Sequence, residues 1–121
     1  MSKPFDLEER LIDFAADVID VVESLPNTKA AVHIAGQLVR SGTAAAPNYA
    51  EARSAESRRD FVHKMKVALK ELRETSVWLR LIRKKNYGVF ENIGKLISEC
   101  NELVAIFVSS IKTAKDNDAN R

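Results

Sequence analysis

Apolar residues recur at steps of four and three along nearly the whole chain. Leu7, Leu11, Phe14, Val18, Val21 and Leu25 make the first such stripe, with Asp13, Asp17 and Asp20 lying off it. Alternating steps of four and three trace one face of a helix. Asp6, followed three residues later by Glu9, has the form of a capping box. A helix is therefore predicted over about residues 6–24, stopped by Leu25-Pro26-Asn27-Thr28, which also offers caps for the next element. Further on, Phe61, Met65, Ala68, Leu72, Thr75, Leu79 and Ile82 repeat the rhythm, widened by Val62, Leu69, Trp78 and Leu81. With Ser57 and Asp60 as a capping pair, this predicts a helix over about 57–86. Asn86-Tyr87-Gly88 ends it, with Gly88 suited to the left-handed residue that follows a helix end. Arg83, Lys84 and Lys85 suit the negative end of the helix dipole. A last stripe of Ile93, Ile97, Cys100, Val104, Phe107 and Ile111, starting near Phe90, predicts a helix over about 89–114. Its second flank of Leu96, Leu103, Ile106 and Val108 implies more than one packing neighbour. Residues 115–121, KDNDANR, read as a frayed polar tail.

The stretch between the first and third segments is harder to place. RSGTAAAPNYAEARS, residues 40–54, mixes alanine with Gly42, Pro47 and small polar residues, as a linker would. Yet Ala31, Ile34, Leu38, Ser41, Ala45, Asn48 and Ala52 carry the four-three steps straight through Pro47. The spacing predicts one helix over about 28–52, distorted locally at the proline. Pro47 cannot donate to the Thr43 carbonyl, a loss of about 3 kcal/mol in an ordinary helix interior. Small residues on the inner face let a neighbouring helix approach closely and recover part of that cost.

Four helices with short connections predict an all-α fold, an antiparallel up-down-up-down four-helix bundle, as one domain over residues 1–121. Nothing alternates with period two. The composition, 45% hydrophobic and 30% charged with four Gly and three Pro, is ordinary for a soluble domain. A single cysteine, Cys100, excludes an internal disulfide and a multi-cysteine metal cage. No run approaches the roughly 18 apolar residues of a membrane span. The first residues carry acids where a signal peptide needs an apolar run. A cytoplasmic chain, away from any membrane, is expected.

Charge changes the picture more than composition does. Residues 1–52 hold four Lys/Arg against eight Asp/Glu, residues 53–85 eleven against four, and residues 86–121 four against five. The basic block is either a solvated helix face or a surface for phosphates or an acidic partner. Arg58, Arg59, His63, Lys64, Lys66, Lys70 and Arg73 make up most of it; Arg59, Lys66, Lys70 and Arg73 share one side of the third helix and suit a nucleic-acid backbone. Asp60, Glu71 and Glu74 dilute the patch. Trp78, the best stacking candidate for a single strand, lies near the apolar stripe and reads as core. In the second helix, Asn48 is expected to bond a carbonyl freed by Pro47, and Glu51 to pair with Arg40 or a base of the third helix. A subunit-contact or ligand-binding cluster is the alternative for these residues. Arg40, beside Ser41, suits a carboxylate or a phosphate equally.

Catalytic signals are poor. His33 and His63 are the only histidines, and one Asp60-x-x-His63 without a second copy falls short of a di-iron bundle, so no metal or cofactor is expected. Arg58-x4-His63 resembles the Arg/His motif of helical HEPN-type ribonucleases, but lacks the usual small polar residue after the arginine. Cys100, on the core stripe, reads as an inert buried thiol. There is no Gly-rich phosphate loop or nucleophile elbow.

Gln37-Leu38-x-Arg40-Ser41, followed by Asn48-Tyr49-Ala50-Glu51, resembles the signature of the four-helix-bundle proteins encoded in bacterial 23S ribosomal-RNA intervening sequences. The run Asp60-Phe61-Val62-His63 with Ala68-Leu69-Lys70-Glu71-Leu72-Arg73-Glu74, and Tyr87 before the fourth helix, are similar to that family as well. The likeness extends over about residues 5–112. Ala52 departs from it, standing where the family often has glycine, which favours continued helix. The resemblance implies an up-down bundle assembled as a homopentamer, with Arg40, Ser41, Pro47, Asn48, Tyr49 and Glu51 as its structural motif. It also implies kinship with the accessory protein of diversity-generating retroelements, which associates with a reverse transcriptase and nucleic acid. The expectation is thus a non-enzymatic, oligomeric scaffold with RNA, DNA or a nucleic-acid-handling protein as partner. The metal-independent ribonuclease using Arg58 and His63 is the alternative.

Overall fold

A computed structural model describes residues 6–88 and 92–119, folded into α1 (Leu7–Ser24), α2 (Lys29–Arg53), α3 (Arg58–Lys85) and α4 (Ile93–Ala119). The first three starts are fixed by side chains that the spacing nominates. Asp6, Thr28 and Ser57 accept the backbone N–H groups of Glu9, Ala31 and Asp60 at 3.0, 3.2 and 3.0 Å, satisfying donors that a helix start leaves free. The expected start of the fourth helix near Phe90 lies outside the described residues. No strand occurs among the described residues.

Two details differ from the sequence expectation. The residue in left-handed conformation after α3 is Asn86, at φ 55° and ψ 42°, rather than Gly88. The Asn86 and Tyr87 N–H groups close back onto the Arg83 and Ile82 carbonyls at 3.1 and 3.2 Å, and asparagine tolerates that conformation nearly as glycine does. Gly88 also has a positive φ of 73°, and a Cβ there would stand 2.9 Å from the Ser24 carbonyl oxygen. The second difference is the tail. Helix α4 continues through residues 115–119, past the predicted end at 114. Ile111 is buried, and helical geometry propagates from an anchored turn more cheaply than it starts anew.

Helix α2 runs unbroken through Pro47. The ring points to solvent, so the Thr43 carbonyl that it leaves unpaired lies on the side water reaches. The inner face is Ala31, Ile34, Leu38, Ser41, Gly42, Ala45 and Ala52, all buried. Gly42 sets the approach of α1. A Cβ placed on it would stand 2.6 Å from Val18 Cγ1, so the two helices are as close as a missing side chain allows.

Cross-helix contacts fix the topology. Val18 meets Gly42, and Glu8 meets Arg53 at 3.9 Å. Arg40 meets Glu71 and Glu74, while Glu51 meets Lys64 at 3.7 Å. The Cys100 thiol donates to the Leu72 carbonyl at 3.2 Å. Lys66 and Arg73 share a groove with Lys115 and Lys112, and Arg10 reaches Glu99. For α1–α2, α2–α3 and α3–α4, numbers fall on one helix as they rise on the other, so consecutive helices are antiparallel, and α4 therefore runs antiparallel to α1. Each helix packs against the one before and after it, and α4 closes on α1; the diagonal pairs α1–α3 and α2–α4 have no close backbone approach and can meet only through side chains across the core. Phe14, Leu38, Met65, Leu72, Leu103 and Phe107 fill the middle. Burying a side chain of this size stabilises by about 1.5–3 kcal/mol.

Candidate nucleic-acid interface

Helix α3 presents a different charge pattern on each flank. Toward α2 every charge with a partner in reach has taken it. Arg40 Nη1 donates to Glu71 at 3.0 Å, and its second guanidinium nitrogen bonds Glu74. Glu71 is only 12% exposed at its side chain, so its charge needs that partner. The Arg40 hydrogen bond, with a lesser one from Trp78, holds the Glu74 carboxyl below the ordinary range against partial burial. Lys64 faces Glu51. Beneath these pairs the Thr75 and Ser41 hydroxyls lie 2.9 Å apart, with the Glu71 and Leu38 carbonyls at 2.8 and 3.4 Å as further acceptors. Both hydroxyls are fully buried and satisfied.

The remaining motif residues are also placed by local bonds. Asn48 Nδ2 donates to the Ala44 carbonyl at 2.8 Å, not to the Thr43 carbonyl freed by Pro47, because its side chain reaches back one turn from its own position. Tyr49 packs edge-on against Phe107, ring centres 5.9 Å apart. Trp78 is half-buried against the core, with His33 edge-on at 6.3 Å.

Away from α2 the pattern reverses. Arg59, Lys66, Lys70 and Arg73 are all exposed, and none makes an ion pair among the described residues. Arg59, Lys66 and Arg73 stand seven residues apart, a rise of about 10.5 Å per step. Glu71 and Glu74, expected to dilute this patch, are turned to α2 and bound by Arg40. Two bases absent from the sequence reading join it from α4. Lys112 and Lys115 line a groove of about 390 Å³ with Lys66, Arg73, Leu69, Val108, Ile111 and Asp116. Lys115 lies close enough that its amine holds Lys66 below the ordinary lysine value. Two ammonium groups sharing one groove favour an anion between them. The signal for Lys112 and Lys115 was in the sequence as an i, i+3 basic pair, but it became legible only with the antiparallel register of α3 and α4.

Arg58 and His63 are not brought together. Five residues apart on one helix, they point about 140° away from each other around its axis. His63 is exposed, whereas Arg58 turns in beside Ser110, Thr113 and Ala114 of α4, with Nη1 buried and unbonded among the described residues. Cys100 is fully buried, and burial followed by the nearby Glu99 charge pushes its thiol up to about 12. That keeps it protonated and unreactive. Among the described residues no three His, Cys, Asp or Glu side chains gather as a metal site, and no helix is long and apolar enough to cross a membrane.

Comparison with known proteins agrees with this architecture. The sequence profile of the 23S rRNA-intervening sequence protein family matches residues 5–109. A solved structure from Bacteroides thetaiotaomicron, described as a protein of unknown function from the S23 ribosomal protein family, is similar at a TM-score of 0.80 and 31% identity. The match covers 88% of this chain and 99% of that one. No curated protein matches significantly.

Proposed function

Given that the chain belongs to the 23S rRNA-intervening sequence protein family, we propose that it works without catalysis, as a self-assembling helical scaffold that holds nucleic acid on its α3–α4 face. One observation carries the second half of this reading: a row of exposed bases that make no ion pair among the described residues, beside a seam on the same helix where the charges are paired. An unpaired row of like charges costs the fold some self-repulsion. A polyanion turns that cost into binding by releasing its own counterions. The resemblance to the intervening-sequence proteins supports the first half and implies a ring of five copies.

Fluorescence anisotropy with a labelled single-stranded RNA tests the partner. Binding at low salt is expected to weaken steeply as salt rises, by about 0.7 in the logarithmic slope for each phosphate contact. Lys66→Glu with Lys70→Glu and Arg73→Glu is expected to weaken it on the order of 100-fold at low salt while leaving the helical circular dichroism unchanged. Absence of binding by the unmodified protein at low salt would refute nucleic acid as the partner. Incubation of the same RNA without metal is expected to leave it intact; cleavage lost on His63→Ala would instead establish the ribonuclease.

A further inference from the structure

Helices α1 and α3 occupy diagonal corners of the bundle with no close backbone approach, so their outward faces look in opposite directions. Those faces carry opposite charge. On α1, Glu9, Asp13, Asp17, Asp20 and Glu23 are exposed, and none makes an ion pair among the described residues. On α3 stand Arg59, Lys66, Lys70 and Arg73, likewise unpaired. Each face also holds apolar side chains that the fold leaves in water. Ile12 and Ile19 are 45% and 39% exposed within the acidic face, Val77 is 50% exposed within the basic one, and Val108 of α4, 43% exposed, lines the groove beside it. Of the five large apolar side chains exposed among the described residues, three therefore lie on these two faces and a fourth, Val108, in the groove beside one of them. Only Val32 lies elsewhere.

Apolar side chains ringed by charge have the anatomy of a protein–protein interface. The signs select the partner. Pairing α1 with α1 sets acid against acid, and pairing α3 with α3 sets base against base; only α1 against α3 joins opposite signs. The spacings agree as well. Asp13 and Asp20, like Ile12 and Ile19, are seven residues apart, the same step as Arg59, Lys66 and Arg73, so one row matches the rise of the other.

We propose that the acidic α1 face of one copy docks on the basic α3 face of the next. The contact is head-to-tail, since every copy offers one face of each kind on opposite corners. It rests on the self-assembly part of the proposed function and adds a consequence for the rest. The neighbour's α1 and a nucleic-acid strand compete for the same bases, so nucleic acid weakens self-association and the α1 face restrains nucleic-acid binding.

Charge exchange tests this on the full chain. One variant carries Asp13→Lys and Asp20→Lys; the other carries Lys66→Glu, Lys70→Glu and Arg73→Glu. Circular dichroism confirms that both fold, and sedimentation at low salt reads their mass. The unmodified protein is expected to sediment as an oligomer and each variant as the 13.5 kDa monomer. An equal mixture of the two is expected to reassemble, because each supplies the face the other has lost. The α1 variant is expected to bind single-stranded RNA at least as tightly as the unmodified protein. An α1 variant that keeps the unmodified mass, or two monomers that do not recombine, overturns this pairing while leaving the scaffold reading intact. A monomeric unmodified protein overturns both.

Discussion

The two flanks of α3 are both rich in charge and behave in opposite ways. Facing α2, Lys64, Glu71 and Glu74 are matched across the seam by Glu51 and Arg40, above the buried Ser41–Thr75 pair. Facing outward and toward α4, Arg59, Lys66, Lys70 and Arg73 are unmatched, and Lys112 and Lys115 extend the row. Where α3 half-buries charge against α2, Arg40 and Glu51 neutralise it. Where it leaves charge of one sign, the neutralising partner comes from outside. Stability and association should therefore separate along one helix.

The largest effect that can break this separation is expected from the outer flank. Reversing Lys66, Lys70 and Arg73 together should weaken RNA binding on the order of 100-fold at low salt, because each phosphate contact is lost and replaced by repulsion. The variant should keep the helical circular dichroism of the unmodified protein. Loss of that helical signal would mean that these bases serve the fold.

Next in size is a contrast between two glycines of α2. Gly42→Ala drives a methyl into Val18, a stiff β-branched side chain, and should destabilise by about 2 kcal/mol in urea unfolding. Val18→Ala in the same chain should recover part of that loss. Gly36 has nothing within 4 Å of its notional Cβ, and Gly36→Ala should stabilise by about 0.5–1 kcal/mol through helix propensity alone.

The inner flank of α3 gives a smaller effect. Thr75→Val keeps the shape but removes the hydroxyl between Ser41 and the Glu71 carbonyl, and should cost about 1 kcal/mol. RNA binding by this variant should match the unmodified protein, which would sharpen the contrast between the flanks.

The smallest effect concerns the seam that closes α4 on α1. Arg10 Nε and Nη2 donate to both carboxylate oxygens of Glu99, at 2.8 and 2.7 Å, and these bonds hold the Glu99 carboxyl below its usual value against partial burial. A carboxylate with a depressed folded value stabilises fully above its unfolded value and loses that contribution as pH falls through the folded one. Both side chains are 29% exposed, so solvent screening leaves about 0.5 kcal/mol. Glu99→Gln should lower the urea midpoint slightly at pH 7, and the difference should vanish in acid.

Helix existence and the buried stripe were legible in the sequence because one physical rule, the 3.6-residue turn, determines both. Every position of the second stripe through Pro47 is buried except Asn48, which is half-buried. Asp6, Thr28 and Ser57 announced their own starts for a similar reason: a cap bonds within three residues. Features that depend on register between helices were not legible. Glu71 and Glu74 looked like diluents of the basic patch until Arg40 was placed opposite them. Lys115 looked like tail until α4 was seen to run beside Lys66. Asn86 was passed over for Gly88 because glycine is the commoner left-handed residue, although asparagine also accepts that backbone. The candidate site was thus half visible: its α3 row could be read from spacing, and its α4 half required the fold.

Light scattering on the unmodified protein, over a wide dilution range at low salt, tests the scaffold most directly. The account predicts a constant mass several times 13.5 kDa, fivefold for the ring the family resemblance implies. A mass of 13.5 kDa at every concentration would contradict it.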